Sequence, residues 1–228
     1  MSFVQKSILN IFGTGVYAFV NLITGIILAR LLKPEGVGQY QLALSAVTIA
    51  GAIAAFGIGG ASVYFINRRK QDPCEITTIA FKFSTIAAIL VTIALVFIFN
   101  FKNYFGNLPP ATVYITAACG GAVLLTENLY PLLLVTFQVG KHLVVKLVPR
   151  IFLLAFLIFG YKFQLVAVNS ALIYSSIGYF LGVAILLWYI RDWLKFECIQ
   201  IPMIHLKSLL NYGTRLNLSY VVTLLNGE

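Results

Sequence analysis

Lys146 and Arg150 stand four residues apart in a stretch otherwise nearly free of charge. On a helix that spacing puts both side chains on one face, about 6 Å apart along the axis. A guanidinium offers a rigid fork of donors and an ammonium a point charge, so the pair has the chemistry to hold a diphosphate. The plain alternative is that both anchor a helix end at the headgroups. Lys82 is a third cation inside an apolar run, where its stem could snorkel to the same level. Glu127 is the sole carboxylate well inside any complete apolar run, and Pro131, four residues on, frees a backbone carbonyl nearby. Such a carboxylate serves as a proton or sodium site, or as the partner of a lysine.

The elements that must position these groups are membrane spans. Of the 228 residues 60% are apolar and 10% charged, against about a quarter charged in a soluble domain. The mean hydropathy is +0.93. A hydrocarbon core about 30 Å thick needs roughly 20 apolar helical residues, and uncharged windows of that length recur along the chain. They predict an all-α integral membrane protein with six complete spans, at about 8–32, 42–66, 77–101, 111–137, 143–161 and 165–190. Arg30, Pro34, Gly36 and Gly38 are read as a short hairpin turn between the first two spans. Residues 191–211 mix aromatic and basic residues as a segment along the interface would. A seventh run, 212–228, is too short to cross, which is expected of a longer protein cut inside a span. The first run is too long and lacks the cleavage site of a signal peptide, so it is expected to be retained.

The connections carry an orientation signal. Eleven Lys and Arg flank the N-terminus and the loops after spans two, four and six, against four on the other side, which places the N-terminus in the cytoplasm. The net charge of +9 thus reflects topology, and with no soluble basic domain no nucleic-acid partner is expected. Cys74, Cys119 and Cys198 are odd in number and lack metal spacing, so free thiols and no metal are expected. No paired carboxylates, Ser-His arrangement or nucleotide loop G-x-x-x-x-G-K-[ST] is present, which speaks against an enzyme. Gly178-x-x-x-Gly182 and the crowd at Gly57, Gly59 and Gly60 read as close helix packing.

The stretch Leu28-Ala-Arg30-Leu-Leu, then Pro34, Gly36, Gly38 and Tyr40, then Phe56-Gly-x-Gly59, resembles the first hairpin of the polysaccharide transporters of O-antigen flippase type. These belong to the multidrug/oligosaccharidyl-lipid/polysaccharide exporter superfamily. Residues 212–226 are more weakly similar to the opening of that family's seventh span, and Lys33 stands where a glycine commonly precedes the turn proline. The resemblance implies the N-terminal lobe of a two-lobe exporter in a bacterial or archaeal inner membrane. It implies movement of an undecaprenyl-diphosphate-linked oligosaccharide by alternating access, with an ion gradient or the membrane potential instead of a cofactor. Membrane lipid, the lipid-linked oligosaccharide, the C-terminal half or a second copy, and a polymerase and glycosyltransferases follow as partners. Lys82, Lys146 and Arg150 outnumber Glu127, which favours an anionic substrate. An ion-coupled multidrug exporter and a non-transporting six-span assembly protein remain as alternatives.

Overall fold

A computed structural model describes residues 3–101, 109–135, 138–162, 166–194 and 203–225. The described residues form helices joined by short connections, with no strand among them, in the order α1 (Phe3–Ala54), α2 (Ile58–Asn67), α3 (Pro73–Phe101), α4 (Pro110–Val135), α5 (Val139–Lys162), α6 (Val168–Ile190) and α7 (Met203–Leu225), with a 3-10 turn at Arg191–Trp193. Five of these helices are long and apolar enough to cross a membrane, α1 among them with its two legs. The molecule is an all-helical membrane lobe. Its outward side chains fit that solvent: Phe12, Phe19, Ile93, Phe97, Phe159 and Trp188 are all exposed. In lipid such residues cost nothing, whereas on a soluble protein they would form one large aggregation surface.

The turn between the two legs of α1 is tighter than expected. Only Lys33 leaves helical geometry, at φ 58° and ψ 168°, and the helix restarts at once with Pro34. A residue before proline is driven out of the helical region, while proline itself is pre-organised for a first helical turn. Gly36 and Gly38 therefore do not make the turn but lie inside the second leg. Gly36 is there for packing, since a Cβ would come 3.0 Å from Val168 and 3.2 Å from Leu32; Gly38 faces open space. Arg30 is an exposed residue of the first leg's last turn.

The second span is interrupted after Ala54 by Phe56 and Gly57, both at positive φ (48° and 65°), before α2 resumes. This break strands the carbonyls of Ala52 and Ile53, and the Asn217 side-chain amide from α7 donates to both, at 3.2 and 3.4 Å. Helix α7 begins at Met203 and continues through Tyr212, so the boundary expected at 211/212 falls inside one continuous helix. Leu206, Leu209, Leu210 and Gly213 share one helical face, with Leu209 and Gly213 buried. Residues 195–202, with Cys198, the ends of the fourth span (136–137), the start of the sixth (165) and the last three residues lie outside the described residues. Cys74 and Cys119 are free thiols.

Two apolar clusters hold the lobe together. One joins Leu28, Ala43 and Val47 of α1 to Leu95, Leu124, Leu153 and Leu172; the other gathers Ile58, Ile76, Leu129, Leu132 and Leu186 at the end near α7. Polar pairs stitch the same seams: Asn128 Nδ2 donates to Ser84 Oγ at 3.0 Å between α4 and α3, and Tyr40 shares a 2.7 Å bond with Ser175. In membranes such bonds are worth about 0.6 kcal/mol on average, so they orient the helices more than they stabilise them.

Two prolines shape the interior. Pro131 in α4 and Pro149 in α5 each lack the N–H that would bond the carbonyl four residues earlier, that of Glu127 and that of Val145. A glycine of a neighbouring helix faces each one. A Cβ on Gly59 of α2 would lie 2.9 Å from the Glu127 carbonyl, and one on Gly182 of α6 would lie 3.5 Å from that of Val145. Gly178 sits tighter still, where a Cβ would meet the Pro149 carbonyl at 2.9 Å and its Cα at 3.0 Å. Gly178→Val is therefore expected to push α6 off α5 and lower the thermal midpoint of the detergent-solubilised protein, by about 1 to 3 kcal/mol of overpacking. Gly182→Ala, with a flexible ring edge at 3.3 Å, should be nearly silent; equal midpoints for the two variants would refute this account of the seam.

Candidate functional site

Because α5 starts at Val139, Lys146 lies two turns and Arg150 three turns into it, about 16 Å along the axis for Arg150. This is deeper than the opening turns of a span that begins at 143. Both cations point into cavities. Arg150 Nη2 donates to the Tyr179 hydroxyl of α6 at 3.4 Å, and the guanidinium lies 6.0 Å from that ring's centroid. Lys146 Nζ sits 4.8 Å over the Tyr17 ring of α1. Tyr17 in turn lines the same small cavity as Arg150. The two cations are thus held against aromatic faces and hydroxyls rather than sunk into apolar packing.

A small cavity of about 60 Å³ brings Lys146 and Arg150 together with Glu127, Tyr130, Tyr17 and Tyr179. Glu127 of α4 lies in the field of Lys146 and in reach of the Tyr130 hydroxyl. Three of the four charged candidates therefore meet. Lys82 does not join them: it lies nine residues into α3, because Asp72 caps that helix through the Cys74 N–H at 3.0 Å and Pro73 opens it earlier than expected. Its side chain is half-buried and lines neither this cavity nor the next.

Sharing Arg150 and Tyr179 with the first, a groove of about 430 Å³ opens between the two legs of α1. Asn21 and Thr24 line it from the first leg, and Gln41, Ser45 and Thr48 from the second. Positions 17, 21 and 24, like 41, 45 and 48, fall at intervals of three and four and so share one helical face. Each leg thus carries a stripe of uncharged polar groups at hydrocarbon depth. Gln41, Ser45 and Thr48 are exposed in the lobe. Such groups are costly against lipid and are expected to face the protein interior or a watery cavity. Charge alone does not reveal these stripes; the polar periodicity within an apolar span does.

His142 is the other group that charge counting passes over. It lies on the face of Lys146 and Arg150, one turn before Lys146, and is buried with its ring 4.8 Å from that of Tyr130. Its Nδ1 is buried with no hydrogen-bond partner.

The sequence pattern of the family described as polysaccharide biosynthesis protein matches residues 3–228. The chain belongs to that family. No individually curated protein matches it. Among solved structures the lobe is similar to an outward-facing multidrug resistance MATE family transporter of the MOP superfamily (15% identity, TM-score 0.74). It is also similar to a MATE protein in complex with MaD3S (17%, 0.77). A third is a MOP superfamily transporter from Pyrococcus furiosus, described as having a binding pocket of reverse polarity that suggests a different function (17%, 0.74). Each match covers 97% of this chain but only 53–54% of the other, so the family member described here spans about half the length of the structures that share its fold. At these identities the likeness is one of fold alone.

Proposed function

We propose that this lobe is the N-terminal part of an exporter that moves a diphosphate-linked lipid oligosaccharide across the membrane in which it sits. The observation that carries the reading is the meeting of Lys146 and Arg150 at one cavity wall with a single carboxylate. Two cations against one acid leave a positive interior, which a substrate with a diphosphate neutralises. The groove beside it adds amides, hydroxyls and Tyr179, groups that hydrogen-bond and stack on sugars. Membership in the polysaccharide biosynthesis family supports the same substrate class. Lys82, outside both cavities, is assigned to snorkelling toward the headgroups in this proposal, and Glu127 to balancing Lys146.

A second reading, export of cationic drugs, is favoured by one feature: the carboxylate of Glu127 lines the same cavity. Two of the fold neighbours are MATE proteins, one of them a multidrug resistance transporter. The readings part on which charges matter. In the full-length protein, Lys146→Ala/Arg150→Ala is expected to abolish polysaccharide export at unchanged protein level, while Glu127→Gln leaves a measurable fraction. Export untouched by the double variant, with a gradient-dependent drug resistance lost in Glu127→Gln, would replace the first reading by the second.

A further inference from the structure

A second polar cleft, of about 390 Å³, lies away from these cavities, between the C-terminal end of α2 and the N-terminal half of α7. Ser208, Asn211, Tyr212 and Arg215 line it from one face of α7, since they are spaced by three, four and seven residues. Across from them stand Phe65 and Arg69. Beyond α2 the backbone turns at Lys70 (φ 55°), and the Gln71 N–H donates back to the Phe65 carbonyl at 3.3 Å, which folds the Gln71 amide into the cleft wall. The aromatic wall is fixed: Tyr212 stacks on Tyr64 at 4.3 Å and meets Phe65 edge-on at 6.1 Å.

Among the described residues the lining carries two guanidiniums and no carboxylate. The nearest acid in sequence, Asp72, is turned to the start of α3, where it accepts the Cys74 N–H. Ser208 and Asn211 add neutral hydrogen-bonding groups. The Gln71 Oε1 is buried without a hydrogen-bond partner, and a half-turn of that amide puts an NH₂ donor in its place, for which an anionic oxygen is a suitable acceptor. The cleft also sits where the apolar span ends, beside the exposed run Arg68-Arg69-Lys70, and that is the level of lipid phosphates.

We propose that the α2/α7 cleft binds the phosphate of an anionic lipid headgroup, with Arg69 and Arg215 as the paired donors. Arg geometry suits a phosphodiester, whose oxygens accept two N–H bonds from each fork. Arg68 and Lys70 are exposed on the same loop but do not line the cleft, so they supply the natural control.

The test is native mass spectrometry of the full-length protein in detergent, titrated with phosphatidylglycerol, with phosphatidylcholine as the uncharged comparison. Arg69→Gln/Arg215→Gln is expected to weaken the tightest phosphatidylglycerol by about tenfold or more. Arg69→Lys/Arg215→Lys, which keeps the charge and loses the fork, should fall between, and monodisperse elution of each variant shows that it folds. Arg68→Gln/Lys70→Gln should leave the tight site intact. Equal losses in the two glutamine pairs would reduce the cleft to diffuse surface charge and overturn the proposal, as would no loss in either. Displacement of the lipid by millimolar inorganic phosphate would assign the cleft to a soluble phosphate instead and overturn the lipid assignment. Neither result bears on Lys146 and Arg150, so export can survive the failure of this site.

Discussion

Arg150→Ala in the full-length protein should reduce export more than Lys146→Ala, and Arg150→Lys should recover only part of the loss. Arg150 lines both the small cavity and the groove between the legs of α1, whereas Lys146 lines the first alone. Arg150 is also tied to α6 through Tyr179, so its removal deletes a charge and a link between two helices. A charge-assisted hydrogen bond is worth about 1.5 to 3 kcal/mol, which corresponds to roughly a 10- to 100-fold loss in substrate affinity. Lysine restores the charge but not the two-pronged donor geometry, hence the partial recovery. Export measured against substrate supply, at matched protein level, separates the cases. If lysine restored export fully, any cation would suffice and the fork would have no role; if alanine had no effect, the diphosphate contact would be lost as an explanation.

Gly57→Ala should be the most destabilising of the glycine-to-alanine changes among the described residues. Gly57 has φ +65°, where a Cβ costs roughly 1 to 2 kcal/mol, and that Cβ would overlap the carbonyl of Gly213 on α7. The obstacle is backbone, which no rotamer change can clear. The reciprocal contact holds as well: a Cβ on Gly213 would overlap the Phe56 carbonyl. Both helices must separate, which breaks the Tyr64–Tyr212 stack and withdraws Asn217 from the carbonyls of Ala52 and Ile53. With overpacking of about 1 to 3 kcal/mol added, the total loss is about 2 to 5 kcal/mol. The comparison is Gly15→Ala, a helical glycine with nothing within 4 Å, which should be neutral or slightly stabilising. Thermal unfolding of the detergent-solubilised protein reads both, and matching midpoints would show that the two glycines are not in close contact.

Spans are written in composition, because water's exclusion from a bilayer demands long apolar helices wherever the chain sits. That is why the all-helical membrane class, and Lys146 with Arg150 on one face, follow from the amino acids alone. Helix ends are less well marked. Pro73 with its Asp72 cap, and Val139, start α3 and α5 earlier than hydropathy suggests, so that Lys82 and Arg150 lie deeper than expected. Glycine near proline usually signals a turn, but here the one residue before the proline suffices, and Gly36 and Gly38 lie inside the second leg.

What the sequence determined by itself is each helix's solvent and the face on which each charge stands, for both depend on residues a few positions apart. What tertiary structure decided is which faces meet. It brought Glu127 of α4, Tyr17 of α1 and Tyr179 of α6 to the cations of α5, left Lys82 elsewhere, and paired two arginines 146 positions apart, Arg69 and Arg215, across one cleft. Those meetings depend on close approaches at Gly57, Gly59, Gly178 and Gly213, where a missing Cβ on one helix matches an exposed carbonyl on another. Such complementarity is a property of two surfaces together, and no single stretch of chain contains it.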